Sequence, residues 1–179
     1  MDTYEAIKGR RSIRRFQAKE IDRELLERLL DAIRWSPSWA NTQCWEVVVV
    51  RDPSLKEALR GTLPGTNPAN KAMVEAPLVF VLCARLGEAG YYKGQVTTKF
   101  GDWFMYDIGI ATQSLCLMGH ALGLGSVIVG LFDHNRAREI LNVPDGVEVV
   151  SMIPIGYPAH EATPPKRRDV GEFVHWDRY

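Results

Sequence analysis

Residues 102–125, DWFMYDIGIATQSLCLMGHALGLG, predict a long helix from about Asp102 to Leu122 that is apolar on nearly every side. Gly123 and Gly125 are expected to end it, and a short apolar strand follows. A helix without a polar face has to be buried all round, because no side of it suits water. In a chain of 179 residues a second subunit is the natural way to cover it completely, so we expect a homodimer.

The uncharged run from Ile108 to Phe132 is long enough to be considered as a membrane span. It contains Gln113 and His120, and glycines are concentrated in its second half, where a single helix in lipid would be poorly specified. We therefore expect a buried helix followed by a buried strand, and no membrane partner.

The composition excludes several classes of protein. The chain has 22 Lys+Arg, 22 Asp+Glu and 46% hydrophobic residues, which excludes a long disordered or fibrous chain. The balanced charge argues against a nucleic-acid partner. Three cysteines without a CxxC spacing support neither a disulfide framework nor a zinc site, and no other metal site is predicted. The first residues lack the pattern of a signal peptide, so we expect a cytoplasmic protein.

Further helices and strands are predicted outside the long helix. The pattern predicts helices over residues 2–9, about 22–35, from 52 onward and 135–141, and strands over residues 45–50, 78–84, 126–130 and 147–155. Four consecutive valines indicate that the first of these strands is buried on both faces. A flexible loop is expected over residues 61–70.

Two polar motifs are candidates for ligand binding. The sequence RRSIRRF at residues 10–16 mixes arginines with a hydroxyl group, which suits a phosphate, although a solvated surface patch is the alternative. The sequence SPSWANTQCW at residues 36–45 could bond the edge of a planar heterocycle, or could be an ordinary turn. The common dinucleotide, P-loop, zinc-protease and serine-hydrolase motifs are absent.

These motifs, in this order, resemble those of the nitroreductase family. Three further motifs carry the resemblance: DIGIATQ at 107–113, GLG at 123–125 and IGYP at 155–158. The basic residues Lys166 and Arg168 follow in the tail. The resemblance covers nearly the whole chain. It implies an α+β, nitroreductase-like fold, with a mixed central β-sheet flanked by helices in three α/β/α layers, and a homodimer with FMN at each subunit interface. Residues 1–179 are then one domain, with a lid or insertion at 85–104 and a tail, 158–179, that docks on the cofactor site or the partner.

The resemblance implies three groups of FMN-binding residues and one catalytic residue. The basic group, which holds the phosphate and polar end of FMN, consists of Arg10, Arg11, Ser12, Lys166 and Arg168. The turn group, which borders the flavin from the partner subunit, consists of Pro37, Ser38 and Asn41. The backbone of Val129 and Gly130 faces the N5/O4 side of the flavin. Arg14, the predicted catalytic residue, also binds the cofactor near its N1/O2 edge.

Two positions depart from the family pattern. Cys44 stands where the family usually has proline. Asn70 and Lys71 are adjacent here and match the family's Asn/Lys pair poorly, so neither is assigned to the flavin.

The implied activity is electron transfer from NADH or NADPH, through FMN, to a small aromatic acceptor such as a nitroaromatic or a quinone, in a ping-pong cycle. A specialised flavin dehydrogenase or dehalogenase of the same superfamily is one alternative. A non-catalytic protein that binds a flavin or another phosphate ligand is a second. An RNA-binding module is a third, and the zero net charge counts against it.

Overall fold

Six helices and six strands make up the fold in the computed structural model, which describes residues 1–179. The helices are α1 (Thr3–Gly9), α2 (Arg23–Arg34), α3 (Pro53–Arg60), α4 (Asn70–Glu75), α5 (Phe104–Ala121) and α6 (His134–Ile140). The strands are β1 (Trp45–Val50), β2 (Leu78–Arg85), β3 (Tyr91–Tyr92), β4 (Gln95–Val96), β5 (Gly125–Ser126) and β6 (Val147–Gly156). Two short 3₁₀ turns lie at Trp39–Asn41 and Val170–Glu172.

The central sheet has the strand order β1-β2-β6-β5. All three pairs of neighbouring strands are antiparallel. At the β5 edge, Ser12 forms a parallel bridge with Ser126, so the sheet is mixed as predicted. Strands β3 and β4 form a separate hairpin within the segment 85–104, which is irregular apart from this hairpin.

Helices cover both faces of the sheet. Because side chains alternate along a strand, Leu78, Phe80 and Leu82 of β2 pack on one side with residues of α2 and α5. Val79 and Val81 pack on the other side with residues of α3, α4 and α6. The predicted three-layer α/β/α arrangement is therefore confirmed.

Three aspartates cap helices close to the positions where the sequence predicts that these helices begin. Asp22, Asp52 and Asp133 each accept a hydrogen bond from the backbone N–H three residues later, at 2.8, 2.9 and 3.0 Å. Such caps satisfy backbone donors that have no partner inside the helix. They explain why α2, α3 and α6 begin where they do.

Helix α5 ends at the predicted glycine. Gly123 has a φ of 77°, a conformation that other residues adopt at a cost. Its N–H donates to the carbonyl of His120 at 3.0 Å, and the N–H of Leu124 donates to the carbonyl of Gly119 at 2.8 Å. This pair of bonds is the Schellman motif, which turns the chain sharply into β5.

Three local predictions need correction. Strand β1 lies at an edge of the sheet, so three of its four valines are only half-buried, although they pack on both core layers. Helix α4 follows directly on the predicted loop and is not foreseen. The strand predicted over 126–130 is shorter, because only its start is paired continuously and Val129 forms an isolated bridge with Met152.

Helix α5 is buried on one face only within a single chain. Ile108 and Leu115 are buried against the sheet, whereas Met105 and Tyr106 are 61% and 62% exposed. The all-round burial predicted from the sequence therefore does not occur within one chain. No helix, α5 included, combines the length and apolar character of a membrane-spanning segment.

Candidate functional site

The arginine motif at 10–16 crosses the end of the central sheet and is held on both sides. The N–H of Ile13 donates to the carbonyl of Ser126 at 2.9 Å, next to β5. The N–H of Ala159 donates to the carbonyl of Arg15 at 3.0 Å. Main-chain bonds fix this segment, so its side chains project from a defined position.

Two glycines allow the segment to lie close to its neighbours. A Cβ atom at Gly125 would lie 2.6 Å from Cγ1 of Ile13, and one at Gly9 would lie 2.5 Å from Nε2 of His120. The contact at Gly125 involves the base of the Ile13 side chain, so this position requires glycine in this packing, whereas at Gly9 the far end of the His120 ring would have to move. The arginine motif therefore lies directly on β5 and on the end of α5.

The four arginines of the motif have different surroundings. Arg15 forms an ion pair with Glu75 at 3.0 Å. Arg11 donates to two main-chain carbonyls at the end of α1, at 2.6 and 2.8 Å. Arg10 and Arg14 have no carboxylate partner. The two arginines without a partner are thus free to bind an anion.

A cavity of about 520 Å³ opens beside Arg10, a volume within the usual range for a small-molecule site. Its charged and polar lining residues are Arg10, Arg11, His120, Ser126, His160 and Glu161. Burial lowers the pKa of His120, and the charges of Arg10 and Arg11 lower it further. Two arginines against one glutamate, Glu161, give the lining a net positive charge, which favours a phosphate or another anion.

The turn group lies on an unusual loop between α2 and β1. Ala40, Asn41 and Gln43 have φ values of 44°, 57° and 49°, a region that residues other than glycine rarely adopt. The hydroxyl of Ser38 accepts a hydrogen bond from the N–H of Gln43 at 2.9 Å and closes the loop. Pro37 and Asn41 are exposed and Ser38 is half-buried. Such conformations often mark a binding site.

Asp107 anchors this loop to α5. Its side chain is 1% exposed, and Oδ2 accepts the N–H of Trp39 at 3.0 Å and the thiol of Cys44 at 3.9 Å. Burial raises the pKa of the Asp107 carboxyl. Burial, followed by the charge of Asp107, raises the pKa of the Cys44 thiol to about 11. The carboxylate thus binds both ends of the loop without a cationic partner.

The free energy of unfolding of Asp107→Asn, compared with that of the unsubstituted protein, is expected to increase as pH rises. The folded carboxyl has a pKa above its ordinary value of 3.8, so the folded state holds the proton more tightly. The stability that this tighter proton binding gives to the unsubstituted protein is fully present below pH 3.8. It is lost as pH rises through the raised pKa of Asp107, whereas the asparagine variant has no such loss. Urea unfolding of both proteins between pH 4 and 8 measures the difference. A difference that does not change with pH would contradict the expectation.

The turn group and the basic group do not meet within one chain. Asp107, beside the turn group, and His120, beside Arg10, are separated by thirteen residues of α5, or about 20 Å at 1.5 Å per residue. No member of the turn group lines the cavity. Lys166 and Arg168 are exposed in the tail and do not line it either. The structure brings together Arg10, Arg11 and the end of β5 only.

The main-chain N–H groups of Val129 and Gly130 differ in whether they have an acceptor. The N–H of Val129 donates to the carbonyl of Met152 at 2.9 Å, and the N–H of Met152 donates back at 3.0 Å. Val129 therefore has no free N–H. The N–H of Gly130 has no main-chain acceptor, so it is the donor that this segment can offer a ligand.

The side-chain amide of Asn70 is engaged inside its own loop. Its Nδ2 donates to the carbonyls of Pro64, Gly65 and Asn67 at 2.8, 3.1 and 2.9 Å. Lys71 is exposed. Asn70 therefore holds the loop that precedes α4.

Two polar residues of this region have roles that sequence reasoning missed. A single histidine such as His120, far along the chain from the arginine motif, carries no signal by itself. Asp107 stands out only as part of a motif, and its contact with Trp39 depends on tertiary packing.

Residues 7–157 match the family model described as Nitroreductase family. The chain is 32% identical to an NADH dehydrogenase of Thermus thermophilus over 201 aligned positions, which cover 98% of this chain and 96% of the relative. It is 25% identical to an FMN reductase (NAD(P)H) of Bacillus subtilis, with 99% and 74% covered. The structure of an FMN-dependent nitroreductase from Clostridium difficile R20291 superposes with a TM-score of 0.80 at 26% identity, with 99% and 100% covered. Because the family model matches residues 7–157 and the solved nitroreductase shares the fold over nearly the whole chain, the chain belongs to the nitroreductase family.

Proposed function

We propose that this protein is an FMN-dependent oxidoreductase that transfers electrons from NADH or NADPH to flat, electron-poor acceptors such as nitroaromatics or quinones. The observation that carries the proposal is the positive cavity beside an arginine without a partner, on the fold of a nitroreductase. The relatives from Thermus and Bacillus are named for NADH, NAD(P)H and FMN.

The basic group is assigned to the phosphate of FMN. Arg10 lines the cavity and has no carboxylate partner, and charge-assisted bonds from a guanidinium to phosphate are strong. The tail leaves the cavity at Ala162, and Lys166 follows four residues later, within about 14 Å of extended chain. We therefore assign Arg10, Ser12, Lys166 and Arg168 to the phosphate, with Arg11 supporting the loop.

Bound FMN would supply the redox chemistry, which couples oxidation of the nicotinamide to reduction of the second substrate. The protein binds and orients the cofactor and the substrates, and it stabilises the charge that develops. Arg14 is assigned to the N1/O2 edge, where its charge stabilises the negative charge that reduction places on the ring. The N–H of Gly130 is assigned to the N5/O4 side. The turn group is assigned to the border of the ring, where the two substrates are expected to bind one after the other.

The assignment requires two chains. Because the basic group and the turn group lie about 20 Å apart along α5, we assign each FMN to the basic group of one chain and the turn group of its partner. The exposed face of α5 is uncharged, and its groove contains Met105, Tyr106, Gly109, Ile110, Gln113, Ser114 and Leu117. Contact between two copies of this face would complete the burial that the sequence of α5 demands.

Sedimentation at micromolar concentration and moderate salt is expected to give a single species of twice the chain mass. The reason is that α5 exposes Met105 and Tyr106 in a single chain, and the FMN site needs residues from both chains. A clean monomer that still binds FMN would contradict the shared site.

An absorbance titration without oxygen tests the proposed activity. The purified protein with FMN should show a flavin spectrum, lose it on addition of NADH or NADPH, and regain it with a nitroaromatic or quinone. A flavin spectrum that neither nucleotide bleaches would indicate a binding protein instead. Bleaching without recovery on these acceptors would indicate a specialised dehydrogenase or dehalogenase. A protein that takes up no FMN would contradict the proposal.

A further inference from the structure

A single carboxylate oxygen holds the loop that carries the turn group at two points. Oδ2 of Asp107 accepts the N–H of Trp39, immediately after Ser38, and the thiol of Cys44, where the loop enters β1. The indole of Trp39 also packs against Trp103, just before α5, with ring centres 5.9 Å apart. The conformation of the loop is thus set from the first turns of α5.

We propose that Asp107 is a positioning residue for the flavin ring, which holds the turn group in the conformation that borders FMN of the partner subunit. This inference rests on the proposed function. Asp107 itself is buried, so it acts on the flavin through the loop and not by contact.

The cost of burying this group supports a role for it beyond packing. A carboxylate in the core without a cation is unfavourable unless it accepts strong hydrogen bonds. Its neighbours on the buried face of α5, Ile108 and Ala111, are apolar, and an apolar residue would suit the layer better. The loop, in contrast, needs a firm anchor, because residues with positive φ are held only when the surroundings over-determine them. Asp107 supplies that anchor.

Binding of FMN and of riboflavin to Asp107→Ala tests the proposal. Because the turn group borders the ring and not the phosphate, both dissociation constants should rise by the same factor, about tenfold or more. Asp107→Asn, whose side-chain oxygen still accepts the N–H of Trp39, should stay within about threefold of the unsubstituted protein.

Leu115→Ala provides the matched control. Leu115 lies on the same helix, is fully buried against the sheet, and belongs neither to the loop nor to the exposed groove of α5. This variant should lose stability and keep both dissociation constants. The comparison separates an effect on the flavin from a general loosening of α5.

Several outcomes would overturn the inference. Unchanged binding in Asp107→Ala would give Asp107 a role in stability alone, and a loss confined to FMN would mean that it acts through the phosphate. If Asp107→Ala does not fold, hydrogen exchange of the Trp39 amide in the unsubstituted protein replaces it. FMN should slow that exchange, and an unchanged rate would overturn the inference. Absence of FMN binding to the unsubstituted protein would instead contradict the proposed function.

Discussion

Arg168→Ala is expected to weaken FMN binding by roughly 1.5 to 3 kcal/mol, the range for a hydrogen bond to a charged group. Riboflavin, which lacks the phosphate, should bind nearly as before. Arg168 is exposed, and its guanidinium lies 5.5 Å from the ring centre of Phe173 without a carboxylate partner. No carboxylate in the single chain therefore competes with a phosphate for its charge.

Fluorescence titration of both ligands measures the effect of Arg168→Ala. Arg167→Ala is the matched control, since Arg167 has the same charge and exposure one residue earlier and is not assigned to the cofactor. It should change the FMN dissociation constant by no more than about threefold, in line with a surface charge. Equal losses for FMN and riboflavin in Arg168→Ala would mean that the tail acts on folding instead.

Arg14→Gln is expected to lower the midpoint potential of bound FMN by roughly 30 to 60 mV. This range is the free energy of a hydrogen bond to a charged group, converted into a potential for a two-electron couple. Glutamine keeps the ability to donate hydrogen bonds but removes the charge. If Arg14 lies at the N1/O2 edge, its charge meets the negative charge that appears only on reduction. Reduction by NADH should therefore slow, while the dissociation constant of oxidised FMN changes much less.

Equilibration with reference dyes gives the potential in each protein. Arg15→Gln is the control, because the neighbouring guanidinium is already paired with Glu75 at 3.0 Å and should not act on the flavin. An unchanged potential in Arg14→Gln, with or without weaker binding of oxidised FMN, would make Arg14 one more phosphate or surface cation. It would then lose its catalytic assignment.

The parts of the fold that follow from local chemistry could be predicted. Asp22, Asp52 and Asp133 each cap a helix through a bond within three residues, and Gly123 ends α5 through bonds within the last turn. These interactions are encoded in adjacent residues, so the pattern alone indicates them. Because α5 has no polar face, the sequence also predicted that a single chain would not cover this helix completely.

The parts that depend on distant contacts could not be predicted. Arg14 and Arg15 are equivalent in sequence, and only Glu75, sixty residues away, distinguishes the free arginine from the paired one. The N–H of Val129 looks as free as that of Gly130 until β6 brings Met152 opposite.

Other misses have related causes. The edge position of β1 depends on the strand order of the whole sheet. Helix α4 is only six residues long and too short for a periodic signal.

Titration of FMN into a mixed dimer tests most directly whether each site is shared between two chains. One chain carries Arg10→Ala and Arg168→Ala, the other carries Ser38→Ala and Asn41→Ala, and different tags allow the mixed species to be purified. At an FMN concentration that leaves both parent homodimers empty, a shared site predicts one FMN per mixed dimer, because one of its two sites is intact. If the basic group and the turn group of the same chain formed the site, every site would carry a defect, and a mixed dimer that binds no FMN would contradict the account.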